Sequence, residues 1–187
     1  MSDQVSARGG TGRRVTRGEG DAPGDLYALA DAVRAACVER GLTIATAESC
    51  TGGLIAHLIT EVPGSSACLV GGVVAYADRA KVAMLGVDPA LIAAHGSVSE
   101  PVAAAMADGT RSRLAVDIAV AVTGIAGPDG GTRAKPVGLT FIAVAARDGV
   151  EVRRCAWDGD RSANKVSSAR TALAMLLAAA ERSPRHT

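Results

Sequence analysis

The chain has 187 residues, 48% hydrophobic and 21% charged, which is enough for one compact domain and too little for two large ones. Lysine and arginine total 20 against 19 acids, a net charge of +1, so no electrostatic footprint for a nucleic-acid backbone or an anionic membrane follows. Aromatics are 2% of the chain (Tyr27, Tyr76, Phe141 and Trp157), which excludes a stacking platform for single-stranded bases.

Residues 1–23 are rich in Gly, Arg, Ser and Asp, and a stretch such as Arg8-Gly9-Gly10-Thr11-Gly12-Arg13-Arg14 buries too little apolar surface to order itself, so a disordered tail is expected there. The domain is expected over 24–182, with a loose end over 183–187. Asp25 reads as the N-cap of a first helix in which Leu26, Leu29, Ala30 and Val33 repeat at helical spacing, closed by Gly41. Thr43-Ile44-Ala45-Thr46 reads as a strand, followed by Gly52-Gly53 and an apolar helix through Leu58. Gly72-Val73-Val74-Ala75-Tyr76 is a second strand. Helices are expected over Asp78–Leu85, from Asp88-Pro89 to Ala94, and from Ser99-Glu100-Pro101 to near Leu114.

Asp117–Val122 has the composition of a buried strand and runs into a glycine-rich loop. Gly138–Ala146 and Val150–Trp157 flank Arg147-Asp148-Gly149, a hairpin signal that implies antiparallel pairing. A last helix is expected over Ser162–Arg182. The alternation predicts an α/β fold, a three-layer α/β/α sandwich with a mixed, mainly parallel sheet. Cys37, Cys50, Cys68 and Cys155 form no CxxC pair, so neither a zinc site of the usual spacing nor a disulfide framework is expected. The longest apolar run, Ala172–Ala180, is far short of the roughly 20 residues of a membrane span. With no secretory pattern at Met1-Ser2-Asp3-Gln4, the chain reads as soluble and cytoplasmic, without a membrane or nucleic-acid partner.

Three segments can carry chemistry. In Ala47-Glu48-Ser49-Cys50-Thr51-Gly52-Gly53 a strand ends and a helix begins, which places Ser49 at a strand's carboxyl end beneath N–H groups able to hold an oxyanion or a phosphate. The alternative is an ordinary turn in which Ser49 or Thr51 caps the helix. Cys50 is either a nucleophile or a small buried thiol. In Thr123-Gly124-Ile125-Ala126-Gly127-Pro128-Asp129-Gly130-Gly131-Thr132 the glycines read either as a phosphate cradle or as a tight surface turn. The absence of both Gly-Lys-Ser/Thr and GxGxxG argues against an NTPase and a nicotinamide oxidoreductase. In Tyr76-Ala77-Asp78-Arg79-Ala80-Lys81 a helix start with a solvated face competes with a phenol and an amine set near a nucleophile.

Arginine stays protonated, so the nitrogen bases available are Lys81, Lys135, Lys165, His57, His95 and His186; no Ser-His-Asp arrangement can be assembled from them. In Gly159-Asp160-Arg161 the arginine can reach a phosphate or pair with Asp160.

Taken in order, Ala47–Gly53, Gly64-Ser65-Ser66, Ser97-Val98-Ser99-Glu100-Pro101-Val102, Thr123–Gly131, Lys135-Pro136-Val137-Gly138 and Gly159-Asp160-Arg161 resemble the CinA carboxy-terminal domain, the nicotinamide-nucleotide amidase family, over roughly residues 25 to 180. The resemblance implies hydrolysis of the carboxamide of nicotinamide mononucleotide to nicotinate mononucleotide and ammonia, with no metal or organic cofactor. It implies a serine nucleophile at Ser49 and a lysine base at Lys81, with Tyr76 beside them. Thr51, Gly52, Ser66, Thr123, Gly124, Gly127 and Arg161 are the expected substrate-binding positions.

The family's usual stretch is Tyr-Ser/Thr-Asn-Glu-x-Lys. Here Ala77 lacks the hydroxyl and Arg79 reverses a charge, so a module of the same fold that binds a nucleotide without hydrolysing it is the alternative. The apolar content further points to a homo-oligomer.

Overall fold

The computed structural model describes residues 23–185. The tail expected over 1–23 lies outside the described residues except for Pro23, as do His186 and Thr187 of the expected loose end. In chain order the elements are α1 (Pro23–Arg40), β1 (Ile44–Glu48), α2 (Leu54–Thr60), a 3-10 turn (Ser65–Ala67), β2 (Leu69–Val74), α3 (Asp78–Leu85), α4 (Pro89–His95), α5 (Glu100–Leu114), β3 (Ile118–Gly124), β4 (Leu139–Ala146), β5 (Gly149–Ala156) and α6 (Arg161–Arg182).

The five strands form one sheet in the order β2-β1-β3-β4-β5. β1 pairs parallel with both β2 and β3, and the hairpin strands follow antiparallel, β4 on β3 and β5 on β4. β4 alone therefore runs against the other four, and the sheet is mixed but mainly parallel. Side-chain alternation along the strands builds the layers. Ile118, Val120 and Val122 of β3 and Ile142 and Val144 of β4 face the core shared with α1, α2 and α6. Ala121 of β3 and Phe141, Ala143 and Ala145 of β4 face the opposite core, under Val102, Ala103, Met106 and Ala107 of α5. The small residues on this second face let α5 lie close against the sheet.

Among the element boundaries that differ from the sequence expectation, three have a clear local reason. α1 begins at Pro23, because proline is tolerated where no N–H is needed. Asp25 then sits in the helix's first turn, where its charge suits the dipole, rather than at the N-cap. β1 starts at Ile44 because the backbone N–H and hydroxyl of Thr43 both donate to Asp117, each at 2.7 Å. β2 begins at Leu69, before the glycines, where parallel pairing with Ile44 begins.

The strand order decides where a ligand can lie. From β1 the chain goes to β2 on one side and later to β3 on the other, so a crevice opens at the carboxyl ends of these strands. Ser49 follows β1, Tyr76 follows β2, Thr123 ends β3, and β5 delivers Arg161 to the same edge. Lys81 arrives on α3, whose end is seated against α5 at Gly109. A Cβ there would lie 1.9 Å from the carbonyl oxygen of Leu85. Gly109→Ala is therefore expected to push α3 off α5 and lower stability by about 1–3 kcal/mol, read as a lower urea midpoint at unchanged slope.

Candidate functional site

The crevice is a cavity of about 250 Å³ lined by Ser49, Cys50, Tyr76, Asp78, Lys81, Ser97, Val98, Thr123–Gly127, Asp129, Gly130 and Arg161. Lys81 forms its floor. The residue is 1% exposed, and its ammonium donates to Ser49 Oγ at 3.4 Å, to the Tyr76 carbonyl at 3.2 Å and to Asp78 Oδ1 at 3.4 Å. The amine nitrogen thus has three oxygens within reach. Ser49 is 7% exposed, and its hydroxyl reaches the Tyr76 carbonyl at 3.5 Å. These contacts are long for tight hydrogen bonds.

The turn after Ser49 is organised by a residue that the sequence reading passed over. Glu48 is buried, and its carboxylate accepts from the N–H groups of Gly53 (2.9 Å), Ile55 (3.1 Å) and Ala56 (2.9 Å) and from the Thr46 hydroxyl (3.3 Å). The amino-terminal donors of α2, expected to face a ligand, thus belong to Glu48. Neither Ser49 nor Thr51 caps the helix, whose N-cap is Gly53. The Ser49 N–H goes to Val122 O and the Gly52 N–H to Ser49 O. Within residues 49–53 the N–H groups of Cys50 and Thr51 have no oxygen acceptor among the described residues and approach the Cys50 sulfur instead.

Cys50 lines the cavity but is 7% exposed, and burial, with a further push from the Glu48 charge, raises its thiol to about 11. It is a protonated thiol at neutral pH and a poor nucleophile. Its sulfur is also part of the reason for Gly124, where a Cβ would lie 3.0 Å from Cys50 Sγ and 2.6 Å from Thr140 Oγ1. A Cβ at Gly127 or Gly131 would collide with Val137. Gly124, Gly127 and Gly131 are thus required by the chain's own packing.

The loop roofs the cavity and is tied from three sides. Asn164 Nδ2 donates to Ala126 O (3.0 Å), Arg161 Nη1 to Gly127 O (2.8 Å), and Lys135 Nζ to the carbonyl of His95 at the end of α4 (2.5 Å). His95 is thus the last residue of a helix and not part of a turn.

Of the expected site residues, the structure brings together Ser49, Tyr76, Lys81, Thr123, Gly124, Gly127 and Arg161. The Thr123 hydroxyl donates to Ser97 O at 2.8 Å, so its proton braces the cleft wall. Arg161 does not pair with Asp160, which caps α6 by accepting from Ala163 N (2.8 Å); its other amino group reaches the Tyr76 phenol at 3.4 Å. Tyr76 stands at the rim, 60% exposed.

Thr51, Gly52 and Ser66 are not among the lining residues. Thr51 is fully buried and its hydroxyl has no hydrogen-bond partner among the described residues. Gly52 is on the surface near the Lys165 amine. Ser66 is exposed on the 3-10 turn before β2. Asp78, Ser97 and Asp129 line the cleft without having been singled out. Asp78 carried a signal, since three residues before Lys81 is one turn of the same helix. Nothing in the sequence ties Ser97 to it.

The model of the CinA C-terminal domain matches residues 26–180. The chain belongs to that family. The CinA domain resembles the crystal structure of the competence/damage inducible protein CihA from Agrobacterium tumefaciens at 46% identity and a TM-score of 0.81, covering 83% of this chain and 96% of that one. It resembles the competence damage-inducible protein A (ComA) of Klebsiella pneumoniae at 35% identity and a TM-score of 0.79, covering 82% and 95%. A CinA-like protein of Chlorobaculum tepidum is 53% identical over 145 residues, 75% of this chain and 34% of that protein. Another, from Gemmatimonas aurantiaca, is 48% identical over 160 residues, 86% and 36% respectively. The chain thus spans about a third of the length of these curated relatives.

All four cysteines of the CinA domain are free and buried. The neighbouring Cys37 side chain lowers the Cys68 thiol to about 7, so burial is what should make the native protein react with a disulfide reagent at pH 7 far more slowly than a free thiol does, releasing its four equivalents only on unfolding. A fast single equivalent mapping to Cys50 would return that residue to the nucleophile's place.

Proposed function

We propose that this CinA domain is an amidohydrolase that converts nicotinamide mononucleotide to nicotinate mononucleotide and ammonia. The observation that carries the reading is the 3.4 Å contact between Lys81 Nζ and Ser49 Oγ on the floor of a cleft whose rim presents a guanidinium. Its position at the carboxyl ends of β1 and β3, and the family membership, add support. The cavity, at about 250 Å³, is near the small end of ligand pockets and suits a mononucleotide better than a dinucleotide.

In this mechanism neutral Lys81 accepts the Ser49 proton as the oxygen attacks the carboxamide carbon. The N–H groups of Cys50 and Thr51 hold the oxyanion, an effect of about 3 kcal/mol per donor. Lys81 then protonates the departing nitrogen, and ammonia leaves a nicotinoyl ester on Ser49. Water, deprotonated by the same amine, attacks the ester carbonyl, and the amine hands that proton to the departing Ser49 oxygen, which restores both groups. Arg161 receives the phosphate, and Asp129, at the mouth with no ion-pair partner among the described residues, accepts from ribose hydroxyls. The chemistry uses no metal, and the free thiols suit a reducing cytoplasm.

The second reading, a nucleotide-binding module without turnover, draws on the 3.4 Å contact between the Lys81 amine and the Asp78 carboxylate, which competes with Ser49 for that amine. Incubation with nicotinamide mononucleotide separates the two. Ammonia release that falls at least about 1,000-fold in Ser49→Ala and in Lys81→Arg supports the amidase, because arginine cannot take the proton. Calorimetric binding with no ammonia would establish the module instead.

A further inference from the structure

Asp78 accepts two hydrogen bonds through one oxygen. Lys81 Nζ donates to Oδ1 at 3.4 Å, and Ser97 Oγ donates to the same atom at 2.5 Å. Ser97 comes from the connection between α4 and α5 and is itself fixed through its carbonyl by the buried Thr123 hydroxyl at the end of β3. A chain of contacts therefore runs from the central sheet through Ser97 and Asp78 to the amine.

Its two polar links act on Lys81 in opposite senses. A carboxylate near the ammonium stabilises the proton, while a hydroxyl that donates to that carboxylate spreads its charge and weakens the hold. The titratable and charged groups that line the cleft with Lys81 are Cys50, Tyr76, Asp78, Asp129 and Arg161, and Asp78 alone forms an ion pair with it among the described residues.

We infer that Asp78 and Ser97 are a paired positioning device that sets the pH at which Lys81 becomes a base, Asp78 holding the proton on and Ser97 moderating that hold. As a statement about turnover this rests on the amidase reading; as a statement about the amine it does not. The Asp78 side chain is 55% exposed, so solvent limits the effect.

The test is a lysine-selective NMR titration of the intact chain. Lys81, Lys135 and Lys165 are its only lysines, so three resonances are followed. Asp78→Asn should lower the Lys81 midpoint by about 0.5–1 pH unit, and Ser97→Ala should raise it by about half a unit, with Lys135 and Lys165 unmoved. The rising limb of ammonia release should shift by the same amounts in the same directions. Asp148→Asn, on the distant β4–β5 hairpin, serves as the control for net charge and should move neither.

Opposite displacements in the two variants are what a merely structural role would not produce. A Lys81 midpoint that coincides with wild type in both variants, or moves the same way in both, overturns the inference. Displaced midpoints in a protein that releases no ammonia uphold the inference and refute the amidase reading.

Discussion

A lysine taken almost wholly out of water must be compensated, and the way Lys81 is compensated organises this site. Its nitrogen lies within reach of a serine hydroxyl, a main-chain carbonyl and a carboxylate, which come from the end of β1, from the segment before α3 and from α3 itself. Leaving the amine unpaired at this depth would carry a desolvation penalty of about 1–3 kcal/mol or more. The amine can settle only where all three oxygens converge, so burial of the charge and assembly of the nucleophile–base pair are one structural event.

The surroundings serve this convergence. Glu48, also buried, takes up the first N–H groups of α2 and thereby fixes the turn that carries Ser49. Gly109 lets α3 approach α5 closely enough for Lys81 to reach back to the sheet edge. Across the cleft, the glycine loop is held by Arg161, Asn164 and Lys135, each donating to a main-chain carbonyl. Rigid walls built from such long-range contacts keep the reacting groups in register, which is what a site needs if orientation is to lower a barrier.

Adjacent residues in this chain take opposite fates. Glu48 and Ser49 are neighbours, yet one carboxylate is consumed inside the fold while the hydroxyl beside it faces the cavity. Cys50, next along, is a protonated thiol wedged against Gly124. Thr123 and Gly124 lie in the site's wall but spend their special properties on packing, a hydroxyl on Ser97 and a missing Cβ on Thr140 and Cys50. Position in the lining does not by itself make a residue a ligand contact.

Local patterns were sufficient for the layered fold, the late hairpin and the placing of Ser49 in a strand-to-helix turn, because alternation, helical spacing and turn residues are short-range signals. The same patterns left Tyr76–Lys81 undecided between a solvated helix start and a functional pair, and left the glycine loop undecided between cradle and turn. The pairing of Lys81 with Ser49, the bridge from Ser97 to Asp78, and the exclusion of Thr51, Gly52 and Ser66 from the cleft all depend on how the elements around β2, β1 and β3 come together. The two side-chain contacts join residues 32 and 19 positions apart, and no property of either partner alone records the distance between them.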